Sequence, residues 1–247
     1  MAIIACPCVM ADEKIDLDMV KIPGKNFEML RTEVTQELYE SVMGENPSWF
    51  CRDNKELDKD VLKKLNKSTS DYPVEQISWY DAIYFCNKLS EKKGLCPVYA
   101  VDGETNVLKW DYNPHNEDNI YGVITQDIFA DGYRLPTVEE WQYAAKGGEN
   151  YMYSGSDDFD KVAWCSANSN WVIHPVAQKK PNGYGLYDMN GNVEEWCWDS
   201  VGYYTRYSCG GSWDSKGYYC EVDSQSYINA GSRYYYIGFR LVRSTGK

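Results

Sequence analysis

The sequence predicts an irregular, loop-rich α+β domain, and three observations carry that reading. Helical periodicity is clear in only three places, each opened by a Ser or Thr that can cap a first turn. The other apolar residues fall in short runs cut by Gly, Pro, Asn and Asp, the pattern of brief strands joined by turns. No internal period is visible, so a solenoid or propeller is not expected. The 247 residues suit one large domain or two small ones, and 43% hydrophobic against 25% charged residues is ordinary globular composition.

Taken in order, residues 1–17 read as a lead-in and residues 18–247 as one domain. The opening segment is too short for a signal peptide, but Ile3-Ile4-Ala5-Cys6 resembles a bacterial lipobox. A lipid anchor at Cys6 would hold the protein at a bacterial cell surface as a lipoprotein, without spanning the membrane. Val20-Lys21-Ile22-Pro23-Gly24 is a short strand closed by a turn. Thr35 caps a helix with Leu38, Tyr39, Val42 and Met43 on one face and Gly44 at its end. Residues 52–69 are dense in charge and predict a solvated helical insertion.

Ser78-Trp79-Tyr80-Asp81 opens the clearest helix, because Asp81 can reach back to the Ser78 amide. Ala82, Phe85, Cys86 and Leu89 form its apolar stripe, and Lys92-Lys93-Gly94 ends it. Thr137 and Glu140 repeat the device, with Trp141, Ala144 and Ala145 inward and Gly147-Gly148 as the stop. Short strands are expected near 98–101, 107–110, 121–124 and 236–242.

Charge and composition remove several functions. The 25 Lys and Arg against 37 Asp and Glu leave a net charge of −12, without the basic footprint of a nucleic-acid binder. No apolar run reaches the roughly 18 residues of a membrane helix. Only His115 and His174 are present, both in loop-like contexts, which leaves little for histidine catalysis or a His-rich metal centre. Nine Cys without a Cys-x-x-Cys pair support neither a zinc ribbon nor a thioredoxin-like centre.

The aromatic residues are unevenly placed. Nine of the 22 Tyr lie between 201 and 236, among six Ser and five Gly but one Lys and one Glu. Tyr, Ser and Gly are the composition of antibody paratopes, in which Tyr gives a large amphipathic contact at low entropy cost. Adjacent pairs such as Tyr203-Tyr204 and Tyr218-Tyr219 must point to different sides, so part of this set is exposed. The expected contact residues are Tyr203, Tyr204, Tyr207, Ser215, Tyr218, Tyr219, Asp223, Tyr227, Asn229, Tyr234, Tyr235 and Tyr236, within a region of about 199–236. A surface of this kind accepts protein or glycan ligands.

Eight motifs occur in a recognisable order. They begin with Val20-Lys21-Ile22-Pro23-Gly24, Thr32-Glu33-Val34-Thr35, Pro73-Val74 through Asp81-Ala82, and Tyr133-Arg134-Leu135-Pro136-Thr137 through Trp141. They continue with Pro181-Asn182-Gly183-Tyr184-Gly185-Leu186-Tyr187-Asp188-Met189, Gly191-Asn192-Val193 through Trp196, Gly210-Gly211-Ser212-Trp213 and Gly238-Phe239-Arg240-Leu241. Over about residues 18–243 the chain resembles the formylglycine-generating-enzyme (sulfatase-modifying factor) superfamily, which implies an elaborated C-type lectin-like fold.

Fold does not settle function in such a superfamily. Its oxidases use two Cys that bind copper and engage a substrate thiol; here those positions are Ser215 and Cys220. A hydroxyl cannot replace a thiolate as a Cu(I) ligand, so the resemblance implies a broken oxidase site and no catalytic cofactor. Relatives that hold iron with histidines of an accessory domain fit less well still. The chain also resembles the variable proteins of diversity-generating retroelements, which implies a non-enzymatic, surface-displayed ligand binder on a fixed scaffold. An oxidase-type enzyme and a fixed adhesin-like domain are the alternatives. Finally, the resemblance implies a structural Ca²⁺ held by the Asp188 and Glu195 side chains and the Gly191 and Val193 carbonyls, hard oxygen donors of the kind calcium takes.

Overall fold

A computed structural model describes residues 15–246, so Cys6 and its suggested lipobox lie outside the described residues. The helices are α1 (Gln36–Met43), α2 (Lys59–Lys64), α3 (Trp79–Lys92), α4 (Val138–Lys146) and α5 (Phe159–Val162). None is long and apolar enough to cross a membrane. The strands are short: β1 (Met19–Lys21), β2 (Phe27–Leu30), β3 (Tyr99–Val101), β4 (Ile124–Gln126), β5 (Tyr133–Arg134), β6 (Glu194–Ser200), β7 (Thr205–Cys209), β8 (Gln225–Asn229), β9 (Ile237–Gly238) and β10 (Val242–Ser244). This is the mixed, loop-rich α+β architecture that the turn signals predict.

The three predicted helices form where their caps are. The Thr35 side chain accepts from the Leu38 amide, and Gly44 ends α1 in the left-handed region. Both halves of the capping box are made at Ser78 and Asp81, and again at Thr137 and Glu140. α3 differs from its expected stripe, since eleven of its residues, from Trp79 to Ser90, are buried. It is a central helix, packed on α1 and β5. Phe85 stacks on Tyr39 at 5.2 Å and meets Phe239 edge-on at 5.2 Å.

Two four-stranded sheets flank this core. One runs β1-β2-β10-β5 and is antiparallel; the other runs β8-β7-β6-β9, with β9 parallel to β6. The single strand expected over 236–242 is in fact two, because the chain changes sheets there. Phe239, Arg240 and Leu241 are fully buried at the crossover. The Phe239 and Leu241 carbonyls accept from the Val34 and Leu30 amides, at 3.0 and 2.8 Å. Gly238 is needed at the start of it: a Cβ there would sit 2.4 Å from the Val74 carbonyl oxygen.

Three other expectations change. Residues 107–110 hold a 3-10 turn, Val107–Lys109, because the Asn106 side chain caps the Leu108 amide and the Trp110 indole turns in to the Glu104 carbonyl. Near 121–124 the strand begins only at Ile124, after Gly122 adopts a φ of 127°. The charged stretch 52–69 is helical only in α2 and is not purely solvated. Leu57 and Leu65 are buried with Phe50, Tyr72 and Trp213 in a separate apolar cluster.

Candidate functional site

Strand alternation decides where the Tyr-rich region points. In the β7–β8 pair, Thr205, Tyr207 and Cys209 face Asn229, Tyr227 and Gln225. These share one face of the ribbon, while Arg206 and Ser208 share the other with Ile228 and Ser226. Cys209 is buried beside Trp141, and Tyr207 packs half-buried on the same cluster, so the first face belongs to α4. Asp223 lies on that side too, its carboxylate 2.8 Å from Lys146 and its carbonyl accepting from Gln142. Tyr207, Tyr227 and Asp223 are therefore separated from the rest of the expected set.

At the Cys209 end of the ribbon lies a cleft of about 520 Å³ bordered by Ser215, Tyr218, Tyr219 and Tyr236. Gly210 and Gly211 both have positive φ and turn the chain over it; a Cβ on Gly211 would lie 2.8 Å from the Cys220 sulfur. Ser215 Oγ accepts from the Ser212 amide at 3.1 Å and lies 2.8 Å from Ser212 Oγ, which donates to Asp214. Glu194 completes the wall, accepting from Ser208 Oγ at 2.9 Å, and burial raises its pKa. The Tyr218 and Tyr219 rings lie 4.3 Å apart. Tyr236 stacks on Tyr234 at 4.9 Å, its phenol pushed up to about 12 by burial, and Tyr235 leans on Trp213 at 5.8 Å.

Cys220 is buried with Cys165, Tyr153 and Val162, and burial pushes its thiol well above its usual range. Cys209 offers no replacement at position 215. Its sulfur lies on the α4 face, 3.7 Å from that of Cys197, and both are buried.

Tyr203, Tyr204 and Asn229 lie at the opposite end of the ribbon, about 13 Å away at 3.3 Å per residue. They border a different cleft of about 870 Å³, with Tyr80, Arg206 and the loop 119–124. Sequence reading missed Glu194 and Asp214 in the first cleft and Arg206 and Tyr121 in the second. The signal available for Arg206 was charge: it is one of only three cations between 201 and 236, with Lys216 and Arg233. Arg233 has another task, tying its loop to the buried Asp81 at 2.8 Å and to Asp118 at 3.1 Å.

The residues suggested for calcium surround a buried ionic cluster. Asp188 Oδ2 accepts from the Ala177 amide, but Oδ1 is buried without a partner, and burial raises the carboxyl to about 6. Glu195 is engaged on both oxygens: Arg240 bonds it at 2.7 and 3.0 Å, and the Trp141 indole donates to it at 2.7 Å. Glu33, also buried, accepts from Asn192 and from the Val193 amide. Of the suggested donors, only Asp188 keeps an unpartnered side-chain oxygen, while the charge of Glu195 is already answered by Arg240; among the described residues no group of three or more His, Cys, Asp or Glu side chains is placed to hold a metal ion.

Comparison with known proteins places this geometry. The sulfatase-modifying factor enzyme 1-like domain profile matches residues 9–245. The chaperone protein LppX of Paenibacillus barcinonensis is 37% identical over 245 residues, covering 89% of this chain and 80% of that one. The formylglycine-generating enzyme of Mycobacterium tuberculosis is 39% identical over 79 residues, 26% of each chain. Among solved structures, Treponema denticola variable protein 1 superposes with a TM-score of 0.77 at 34% identity, over 93% of this chain and 92% of that one.

Proposed function

Because the chain belongs to the sulfatase-modifying factor enzyme 1-like family, we propose that it is a non-enzymatic member that binds a ligand through the Tyr-rich surface of residues 201–236. One observation carries this reading. Ser215 stands where the family's oxidases are expected to have a Cys, beside a buried Cys220 and under exposed Tyr218 and Tyr219. An oxidase cleft without its thiolate pair keeps a shaped, hydroxyl-rich pocket that recognises rather than reacts. Similarity to a variable protein over almost the whole chain supports the reading, and supports variation of these residues on a fixed scaffold. Display at a bacterial cell surface as a lipoprotein anchored at Cys6 belongs to the same proposal.

The test is copper loading of the full chain followed by turnover of a thiol peptide. No oxidation is expected from the native protein. Turnover that disappears in Cys220→Ala would establish the oxidase reading, which the family's enzymes make the competing one. Sequencing the locus across isolates gives the second test. Substitutions confined to codons 199–236 support a diversified binder, and an invariant locus removes diversification from the proposal.

A structural calcium remains part of the proposal through Asp188, whose unpartnered oxygen supports it, with the Gly191 and Val193 carbonyls as the other suggested donors and Glu195 left to Arg240. Its measurement is the unfolding midpoint with calcium and with a chelator. A calcium-dependent rise that Asp188→Asn removes supports the ion, whereas an unchanged midpoint leaves Arg240 as the counter-ion of this cluster.

A further inference from the structure

The larger cleft, at the Thr205 end of the ribbon, is built differently from the Ser215 cleft and shares no lining residue with it. One wall is the loop 119–124, held in place because the Val123 amide donates to the Asp102 carboxylate at 2.9 Å. The other wall is the β6–β7 turn with Tyr203 and Tyr204. Three rings stand out into solvent around the opening: Tyr203 is 91% exposed, Tyr121 84% and Tyr204 62%. Soluble domains seldom leave three large aromatic rings around one depression unless they meet a partner.

Arg206 gives the cleft its chemistry. Its guanidinium lies 3.9 Å above the buried Trp79 ring and donates through Nη1 to the Trp198 carbonyl at 3.1 Å. Nε is buried without a hydrogen-bond partner. No carboxylate of the described residues lies within ion-pairing distance of it, although the chain carries 37 acidic residues. Among the described residues it is also the only charged side chain lining the cleft. With Nη1 on the Trp198 carbonyl and Nε buried, Nη2 is the donor left to meet an anion oxygen in the cleft.

We propose that this second cleft binds an anionic saccharide, with the carboxylate or sulfate on Arg206. The sugar faces stack on Tyr203 and Tyr121, and Asn229 with the tyrosine hydroxyls meets the ring hydroxyls. Tyr rings offer an apolar face and a polar edge together, as a pyranose requires. The tyrosine hydroxyls and the Asn229 amide supply side-chain partners for sugar hydroxyls in a cleft of a size usual for small ligands. This inference rests on the reading of residues 201–236 as a binding surface, but not on the Ser215 cleft, so the two clefts can fail separately.

The experiment titrates the full chain with a glucuronate-containing tetrasaccharide and with the same tetrasaccharide after reduction of its carboxyls. The readout is calorimetric heat, with intrinsic Trp fluorescence as a second measure because Arg206 rests on the Trp79 ring. Binding of the acidic form alone is expected, weakening as salt rises. Arg206→Gln and, as a surface control that leaves the core untouched, Tyr203→Ala should each lower affinity at least about tenfold, while Ser215→Ala leaves it unchanged. Equal binding of the reduced sugar, affinity unaltered in both Arg206→Gln and Tyr203→Ala, or binding of a Glu-rich peptide in place of the sugar would each overturn the proposal. A sulfated tetrasaccharide bound in preference to the carboxylated one would assign the anion as sulfate.

Discussion

The protein uses tyrosine in two opposite ways, and the difference lies in where the hydroxyl goes. In the core, Tyr39, Tyr72 and Tyr99 are almost wholly buried, and each hydroxyl has a partner inside: His115, the Asn66 amide and the Leu135 amide. In residues 201–236, Tyr203, Tyr204, Tyr218, Tyr219 and Tyr227 each keep half or more of their surface in water. A buried phenol must find a partner or cost the fold free energy, whereas an exposed one keeps its hydrogen bonds available to a ligand. The same residue type is thus framework in the core and solvent-facing surface in residues 201–236.

The contrast can be broken most severely at the framework. Arg240→Met leaves Glu195 unpaired beside Glu33 and Asp188, all buried, and should cost about 3–5 kcal/mol in urea unfolding. A cost below about 1 kcal/mol would mean that another cation already neutralises the cluster, a result that favours calcium there.

Glu75 sharpens the comparison through pH. It is fully buried, with Oε1 accepting from the Phe50 amide and Oε2 unpartnered, and burial raises its carboxyl to about 8. The folded state therefore binds the proton more tightly than the unfolded state does. Its contribution is fully present below the unfolded pKa, near 4.3, and is lost as pH rises towards about 8. Stability measured by chemical denaturation should fall over this window, and Glu75→Gln should flatten the fall. An identical slope in the variant would remove Glu75 as the cause.

A smaller effect compares the two kinds of tyrosine directly. Tyr99→Phe strands the buried Leu135 amide and should cost about 1–3 kcal/mol, read as a lower unfolding midpoint. Tyr203→Ala should change stability by less than about 0.5 kcal/mol, because its ring is almost entirely in solvent. Comparable losses at both positions would show that the exposed rings also serve the fold.

Helix positions were legible because their causes are local. The Ser78–Asp81 and Thr137–Glu140 boxes lie within four residues, and the structure forms both. The two-sheet crossover was not legible, since Phe239-Arg240-Leu241 looks like a continuation of the same apolar run. What divides it is contact with residues about 200 positions earlier, at Leu30 and Val34. Among the expected site residues, the clustering of Tyr was visible, but its division was not. Alternation places Tyr207 and Tyr227 opposite Ser208 and Ser226 only once β7 is paired and one face is covered by α4.

By itself, the sequence determined the class of fold, the capped helices and the family through its ordered motifs. Each is a property of nearby residues or of a fixed order along the chain. Tertiary structure alone decided that Glu195 faces Arg240, that Cys220 is buried, and that the Tyr-rich region opens onto two clefts. Burial, ion pairing and the sidedness of a strand depend on what packs against it, and those partners come from distant parts of the chain.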